Sequence, residues 1–170
     1  MDEVIVRTDV YVPPAVVFEF LRDFRGYARY SSHLKRVEQD GDGGPGTRYT
    51  IELFWWRITY TAETEVTAID EHSRIEWAAR SRAMDATGAW LVEPLDDAET
   101  RSRVTLSIRY DPASADASVV PLPPFISVGW VIDRVRPLLE REAEAVVERI
   151  VEDLEGEPRS VDLRVETRRR

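Results

Sequence analysis

The sequence predicts an α+β fold in which a curved antiparallel sheet wraps around one long C-terminal helix. Apolar and polar residues alternate through the first two-thirds of the 170 residues, the period of half-buried strands. From Val128 the period changes, and Val131, Ile132, Val135, Leu139, Ala143, Val146, Val147, Ile150, Val151 and Leu154 recur at helical spacing. A sheet with one apolar face must bury it, and this last helix is the only element long enough to cover it.

Val4, Val6, Thr8, Val10 and Val12 form one face of a first strand, with Ile5, Arg7, Asp9 and Tyr11 on the other. Pro13 and Pro14 stop it and suit the first turn of a helix. There Val17, Phe18, Leu21 and Phe24 share a face while Glu19, Arg22 and Asp23 point away. Gly26 and Tyr27 are expected to end this helix, with a short turn or second helix reaching Ser32.

A brief strand over 34–39 leads into a glycine-rich loop over 40–46. Alternation then runs from Thr47 to Ile69, too long for one strand, so a hairpin is expected. Its break falls near Trp55, Trp56 and Arg57, although no Gly, Asn or Pro marks a turn there. Further strands are predicted at 74–80, 87–93 and 103–110, which makes a sheet of about six to seven strands. The closing helix, about 28 residues, is roughly 40 Å long at about 1.5 Å per residue. Pro137 is expected to kink it, and Gly156 and Pro158 to end it. Val161, Leu163 and Val165 alternate once more, compatible with a short edge strand. No internal repeat is visible, so residues 1–156 read as one domain and 157–170 as a tail.

Composition narrows the function. The net charge is −9, the opposite of the basic face that nucleic acid requires, so nucleic acid is excluded as an expected partner. There is no cysteine, hence no disulfide framework and no thiolate metal site. His33 and His72 lie in separate segments without ligand spacing, and no metal or other cofactor is expected. Asp2, Glu3, Arg7 and Asp9 stand where a signal peptide would be apolar, which points to the cytoplasm. The longest uncharged stretch, 117–132, is shorter than the roughly 20 residues of a spanning helix and is broken by Pro121, Pro123 and Pro124. Lys35 is the one lysine and asparagine is absent. Acid excess with arginine in place of lysine resembles the composition of proteins from salt-loving archaea.

The order of elements and several short motifs resemble the START/SRPBCC superfamily, which includes polyketide cyclase/dehydrase-like and coenzyme-Q-binding proteins. The matching residues are Val12-Pro-Pro-Ala-Val-Val-Phe18, Phe20-Leu-Arg-Asp-Phe24, Tyr27-Ala-Arg-Tyr-Ser31, Gly46-Thr-Arg-Tyr49 and Gly88-Ala-Trp-Leu-Val-Glu-Pro94. The resemblance spans about residues 3 to 154. It implies a helix-grip fold with a cavity between the concave sheet and the last helix. It does not imply one activity, because members include lipid carriers, ring cyclases and regulators.

The catalytic motifs weigh little. Gly41-Asp-Gly-Gly-Pro-Gly46 satisfies G-x-G-x-x-G, but a strand follows it instead of a helix, Pro45 removes an amide, and Asp40 and Asp42 repel phosphate. It reads as a turn. Glu63 and Glu65 share a strand face with Arg57, Thr59, Thr61 and Thr67, a solvated face and not an acid/base pair. The opposite faces carry Tyr49, Ile51, Tyr60, Trp77, Trp90, Leu106 and Tyr110, and these are the expected ligand-binding residues. Their register places almost no ionisable group on the concave side, which favours binding of a small lipophilic molecule over acid/base chemistry. A bulge near Trp56 would flip a strand and undo this.

Residues 119–126 form an uncharged, proline-stiffened loop that reads as a packed loop or as a lid, with Phe125 and Trp130 as gate residues. Trp55 and Trp56 at a hairpin tip offer a second apolar patch for a membrane surface or a protein. Three classes stay open: a carrier or binding protein, a polyketide cyclase/dehydratase using tyrosine hydroxyls, and an interaction module whose cavity its own side chains fill.

Overall fold

The computed structural model describes residues 1–55, 58–80, 85–111 and 128–168, with backbone alone at 55, 58, 60 and 128–140. In chain order it contains β1 (Asp2–Val10), α1 (Pro14–Arg22), a 3₁₀ turn (Phe24–Arg29), β2 (Leu34–Asp40), β3 (Arg48–Trp55), β4 (Ile58–Asp70), β5 (Arg74–Arg80), β6 (Ala86–Pro94), β7 (Ser102–Tyr110), α2 (Val128–Glu155) and β8 (Arg164–Arg168). The strands form one eight-stranded sheet in the order β2-β3-β4-β5-β6-β7-β1-β8. Every neighbouring pair is antiparallel. The first strand thus closes onto the last strand of the hairpin series, and the tail adds an edge strand beyond it.

Register follows the alternation. β3 pairs with β4 without interruption from Arg48↔Glu65 to Trp55↔Ile58, leaving residues 56 and 57 as the connection. The hairpin therefore breaks where two bulky residues are adjacent, and no strand flips there. Two irregularities lie elsewhere among the described residues: pairing shifts between Leu34 and Arg36 on β2, and between Val66 and Ala68, where Thr67 is the extra residue of a bulge. The bulge keeps both Val66, opposite Trp77, and Ile69, opposite Ile75, on the concave face despite their odd spacing.

Helix α1 is shorter than its sequence pattern implies. It ends at Arg22, and a 3₁₀ turn runs through Gly26 and Tyr27, where the pattern put the helix end. Two local features account for this. The Tyr27 hydroxyl donates to the Leu21 carbonyl, satisfying an acceptor that the helix end leaves open. Gly26 leaves room for Asp23, whose Oδ2 would meet a β-carbon there at 2.9 Å. Helix α2 ends as expected: Gly156 takes a positive φ of 84° and its amide donates to the Glu152 carbonyl at 2.8 Å.

The core lies between the concave face, α1 and the C-terminal half of α2. Val10, Val17, Phe18, Leu21, Phe24, Tyr49, Val66, Ile75, Val92, Val104 and Val151 form one buried cluster, with Val147 and Leu154 packed against it. Phe18 and Val151 are both 0% exposed. Burial of side chains of this size contributes about 1.5–3 kcal/mol each.

Candidate functional site

Strand pairing aligns the concave positions in rows. Val6, Leu106, Trp90, Ile75 and Ile69 make one row, and Val4, Ile108, Gly88, Trp77 and Val66 the next. On β3 to β7, none of the described concave positions carries Asp, Glu, Lys, Arg or His. The charges sit on the other face: Thr61, Glu63, Glu65 and Thr67 are exposed, and Glu65 pairs with Arg48 at 3.6 Å.

One part of the concave side is filled by rings. Phe24 stacks on Tyr49 at 4.6 Å and on Tyr27 at 5.2 Å, Tyr27 stacks on Phe20 at 5.8 Å, and Tyr30 meets Phe20 edge-on at 5.5 Å. Tyr49 is 1% exposed, sealed within this stack. Burial raises the pKa of Tyr27 well above the ordinary 10.0, and raises those of Tyr49 and Tyr30 as well. The hydroxyls of Tyr27 and Tyr30 are both engaged, the latter donating to Asp153 Oδ2 at 2.7 Å.

Ile51, Trp77, Trp90, Leu106, Ile108 and Tyr110 are half-buried, and Ile51, Trp77 and Trp90 lie against the margin of the core. The indole of Trp77 lies across Gly88, its partner in the β5–β6 register. A β-carbon on Gly88 would stand 2.1 Å from Trp77 Cζ2. Trp77 Nε1 is buried and has no hydrogen-bond partner among the described residues.

Of the residues expected from sequence, the structure brings Tyr49, Ile51, Trp77, Trp90, Leu106 and Tyr110 onto one concave face. Tyr60 shares that face by register, opposite Leu53 on β3 and in step with Ala62. The side chains of Tyr60, Trp130 and Trp55 lie outside the described residues, as do Trp56, Phe125 and the whole 119–126 loop. Val4 and Val6 join the face because β1 pairs with β7, a non-local pairing that alternation cannot reveal. The glycine-rich loop is a turn: Gly41, Gly43 and Gly46 have positive φ, and the Gly43 amide donates to Thr47 Oγ1 at 2.9 Å.

Two further groupings lie outside this face. Glu19, Glu71 and His72 bring ligand atoms within 4.8 Å of one another, but all three are exposed and Arg22 engages Glu71 at 3.4 Å. A polar concavity of about 450 Å³ beside β1 and the tail is lined partly by Arg7, Asp9, Arg103 and Glu166. Its charges pair off, Arg7 with Glu166 at 2.7 Å and Arg103 with Asp9 at 2.8 Å. Among the described residues, no helix is long and apolar enough to cross a membrane.

A family model described as polyketide cyclase / dehydrase and lipid transport matches residues 1–155. No curated protein matches the sequence. Among solved structures, the Zhui aromatase/cyclase from Streptomyces sp. R1128 aligns with a TM-score of 0.70 at 17% identity, over 91% of this chain and 94% of its own. A START superfamily protein from Mycobacterium smegmatis aligns at 0.65 and 14% identity, over 91% and 99%. Norcoclaurine synthase from Thalictrum flavum aligns at 0.57 and 14% identity, over 89% and 88%. At these identities the likeness is one of fold: a large antiparallel sheet gripping a C-terminal helix.

Proposed function

We propose a ligand-binding function from one premise: the chain belongs to the polyketide cyclase/dehydrase and lipid transport family. The family name covers both chemistry and carriage, and the concave face favours carriage. The protein binds a small lipophilic molecule (an isoprenoid quinone, a lipid or a polyketide-like ring) between the sheet and α2. The supporting observation is a face that carries no charged side chain on β3 to β7 among the described residues, yet leaves Ile51, Trp77, Trp90, Leu106 and Tyr110 half-buried. Such a lining rewards apolar contact, and β3 to β7 bring no carboxylate or imidazole to it; His33 and Glu142, 3.9 Å apart, stand just before β2 and on α2. Tyr49 at its floor, with Tyr60, Phe125 and Trp130, completes the proposed binding residues. The net charge of −9 and the single lysine fit a salt-rich cytoplasm as the setting.

The alternative within the family is a cyclase or dehydratase that uses tyrosine hydroxyls. Its candidate hydroxyls are those of Tyr49, Tyr60 and Tyr110; Tyr49 is 1% exposed, and the neighbouring Tyr27 and Tyr30 hydroxyls are committed to Leu21 and Asp153. Native mass spectrometry with organic extraction, on protein from its own host or a salt-rich lysate, tests the proposal. A stoichiometric lipophilic adduct supports it and identifies the compound class to assay for turnover. Conversion of that compound would move the reading to an enzyme. A clean apo mass that no quinone, fatty acid or polyaromatic shifts would overturn it in favour of an interaction module.

A further inference from the structure

We infer that β8 is the contact through which two copies of this chain pair, edge to edge, into a weak dimer with one continuous sheet. The contact involves the tail strand and not the concave face, so it is independent of the ligand reading. β8 also lies beyond residues 1–155, the stretch that the family model matches.

β8 ends the sheet, with β1 on one side and no strand on the other among the described residues. A free edge presents unpaired amides and carbonyls that template a further strand. The opposite edge, β2, is blunted by Lys35 and by the shift in its pairing between Leu34 and Arg36. β8 has neither device. It holds no lysine or proline, and its register with β1 is uninterrupted from Arg7↔Arg164 to Glu3↔Arg168. All of its residues are exposed, Val165 at 48%.

The charges of β8 fit its own reverse. Arg164, Glu166 and Arg168 lie on the face of Glu3 and Arg7, with Asp162 in step just ahead of them. Two copies joined along this edge by a two-fold axis pair antiparallel, with the axis passing through one residue of the strand. An axis through Val165 sets Arg164 opposite Glu166 of the second copy and brings Asp162 toward its Arg168. On the other face it sets valine against valine. Moving the axis one residue either way sets Arg164 against itself or Glu166 against itself, and like charges directly opposite repel. One register is favoured and its neighbours are refused. The pairing also relieves β8 itself. Arg164 stands directly opposite Arg7, and its ion pair with Asp162 at 3.3 Å is exposed on both sides and adds little. A second Glu166 beside Arg164 extends the bridge that Glu166 already makes to Arg7 at 2.7 Å. Residues 159–168 hold three arginines and two acids, so the acid excess of the chain does not fall on this edge.

A ladder this short covers less than the roughly 1,200 Å² of a stable interface, so a dissociation constant of about 10–100 µM is expected. Sedimentation equilibrium from about 5 µM to about 500 µM, in about 0.15 M KCl, measures it. Arg164→Glu puts a carboxylate opposite Arg7, which keeps β8 docked, but opposite Glu166 of the second copy, which repels. Its dissociation constant should rise at least about tenfold. Adding Glu166→Arg to that variant restores opposite signs and should restore the dimer. A second measurement needs no charge change, because the chain has no cysteine. Under copper–phenanthroline oxidation, Val165→Cys, on the axis, should cross-link to its own copy. Thr167→Cys is equally exposed but stands about 14 Å from its image in this register, and should not. A parent chain that stays monomeric throughout would overturn the inference and leave the edge to a strand of another protein. A dimer that Arg164→Glu does not weaken, or equal cross-linking at 165 and 167, would overturn it too.

Discussion

The guanidinium of Arg159 lies over the ring of Tyr11, 4.1 Å from its centroid, and ties the end of α2 to the end of β1. Its Nη2 donates to the Asp9 carbonyl at 2.9 Å, and its Nε and Nη2 each donate to Glu155 at 2.7 Å. Glu155 in turn accepts the Tyr11 amide at 2.8 Å, and its side chain is only 6% exposed. The tail that supplies β8 leaves the helix through this junction.

Arg159→Ala should therefore lower stability by about 1–3 kcal/mol, because it strands a nearly buried carboxylate. Arg159→Lys should recover only part of the loss, since an ammonium cannot span Glu155 and the Asp9 carbonyl with a planar fork. Denaturant unfolding measures both. Equal stability of the lysine variant and the parent would show that charge alone, without the fork, holds the junction.

The same junction sets the acid limit. The Arg159 hydrogen bonds hold the Glu155 carboxyl below its ordinary 4.5, and the Arg103 hydrogen bonds hold Asp9 below 3.8. Each folded value is depressed, so each contribution is present above the unfolded pKa and is lost as pH falls through the folded one. Stability should hold down to about pH 4.5 and decline below it, and Glu155→Gln should flatten that decline. A pH series of melting temperatures checks this.

Alkali attacks the ring stack. Burial raises Tyr27, Tyr49 and Tyr30, with the Asp153 hydrogen bond adding to the shift at Tyr30. Raised folded values mean full stability below the unfolded pKa of about 10 and loss as pH climbs through the folded values. Absorbance of tyrosinate should thus rise together with unfolding for these residues, not before it. Tyr27→Phe should delay alkaline unfolding while slightly destabilising the protein at neutral pH, where it leaves the Leu21 carbonyl without its donor.

Much of this architecture is legible in the chain. The valines of β1, the 23 alternating residues of the β3–β4 hairpin and the change of period at Val128 give the elements, and the adjacent Trp55 and Trp56 mark the hairpin tip. Alternation assigns faces but not partners, so neither the closure of β1 on β7 nor the meeting of Trp77 with Gly88 can be read from it. The bulge at Thr67 is hidden because Thr67 and Ala68 suit either face. The 3₁₀ turn at Phe24 is hidden for a related reason: Phe24 and Tyr27 satisfy helical spacing in either kind of helix. The concave face was readable as an apolar lining, whereas the sealing of Tyr49 depends on Phe24, which the sequence places on a different element.

Core packing yields a sharper expectation. Phe18 is 0% exposed and meets the exposed His72 ring edge-on at 5.7 Å. Phe18→Ala should cost about 3–5 kcal/mol, the loss of transfer energy plus an unfilled cavity under α1. His72→Ala, which removes only the exposed partner of that contact, should cost less than about 1.5 kcal/mol. Reversal of that order in denaturant unfolding would mean that the turn between β4 and β5, not the core, secures α1.

Salt dependence follows from the balance between net charge and paired charge. At −9 the chain repels itself, and screening relieves that repulsion. Screening also weakens surface ion pairs such as Arg36–Glu38 and Arg48–Glu65, but exposed pairs contribute only about 0–1 kcal/mol each. The junction around Glu155 is nearly buried and is screened least. Raising KCl from about 10 mM to about 1 M shortens the screening length from about 30 Å to about 3 Å, so the melting temperature should rise across that range. The rise should be steepest at low salt, where long-range repulsion is first removed. In Arg159→Ala the rise should be larger, because the variant carries one more uncompensated negative charge. A melting temperature that falls with KCl would show that the paired charges, and not the acid excess, govern stability.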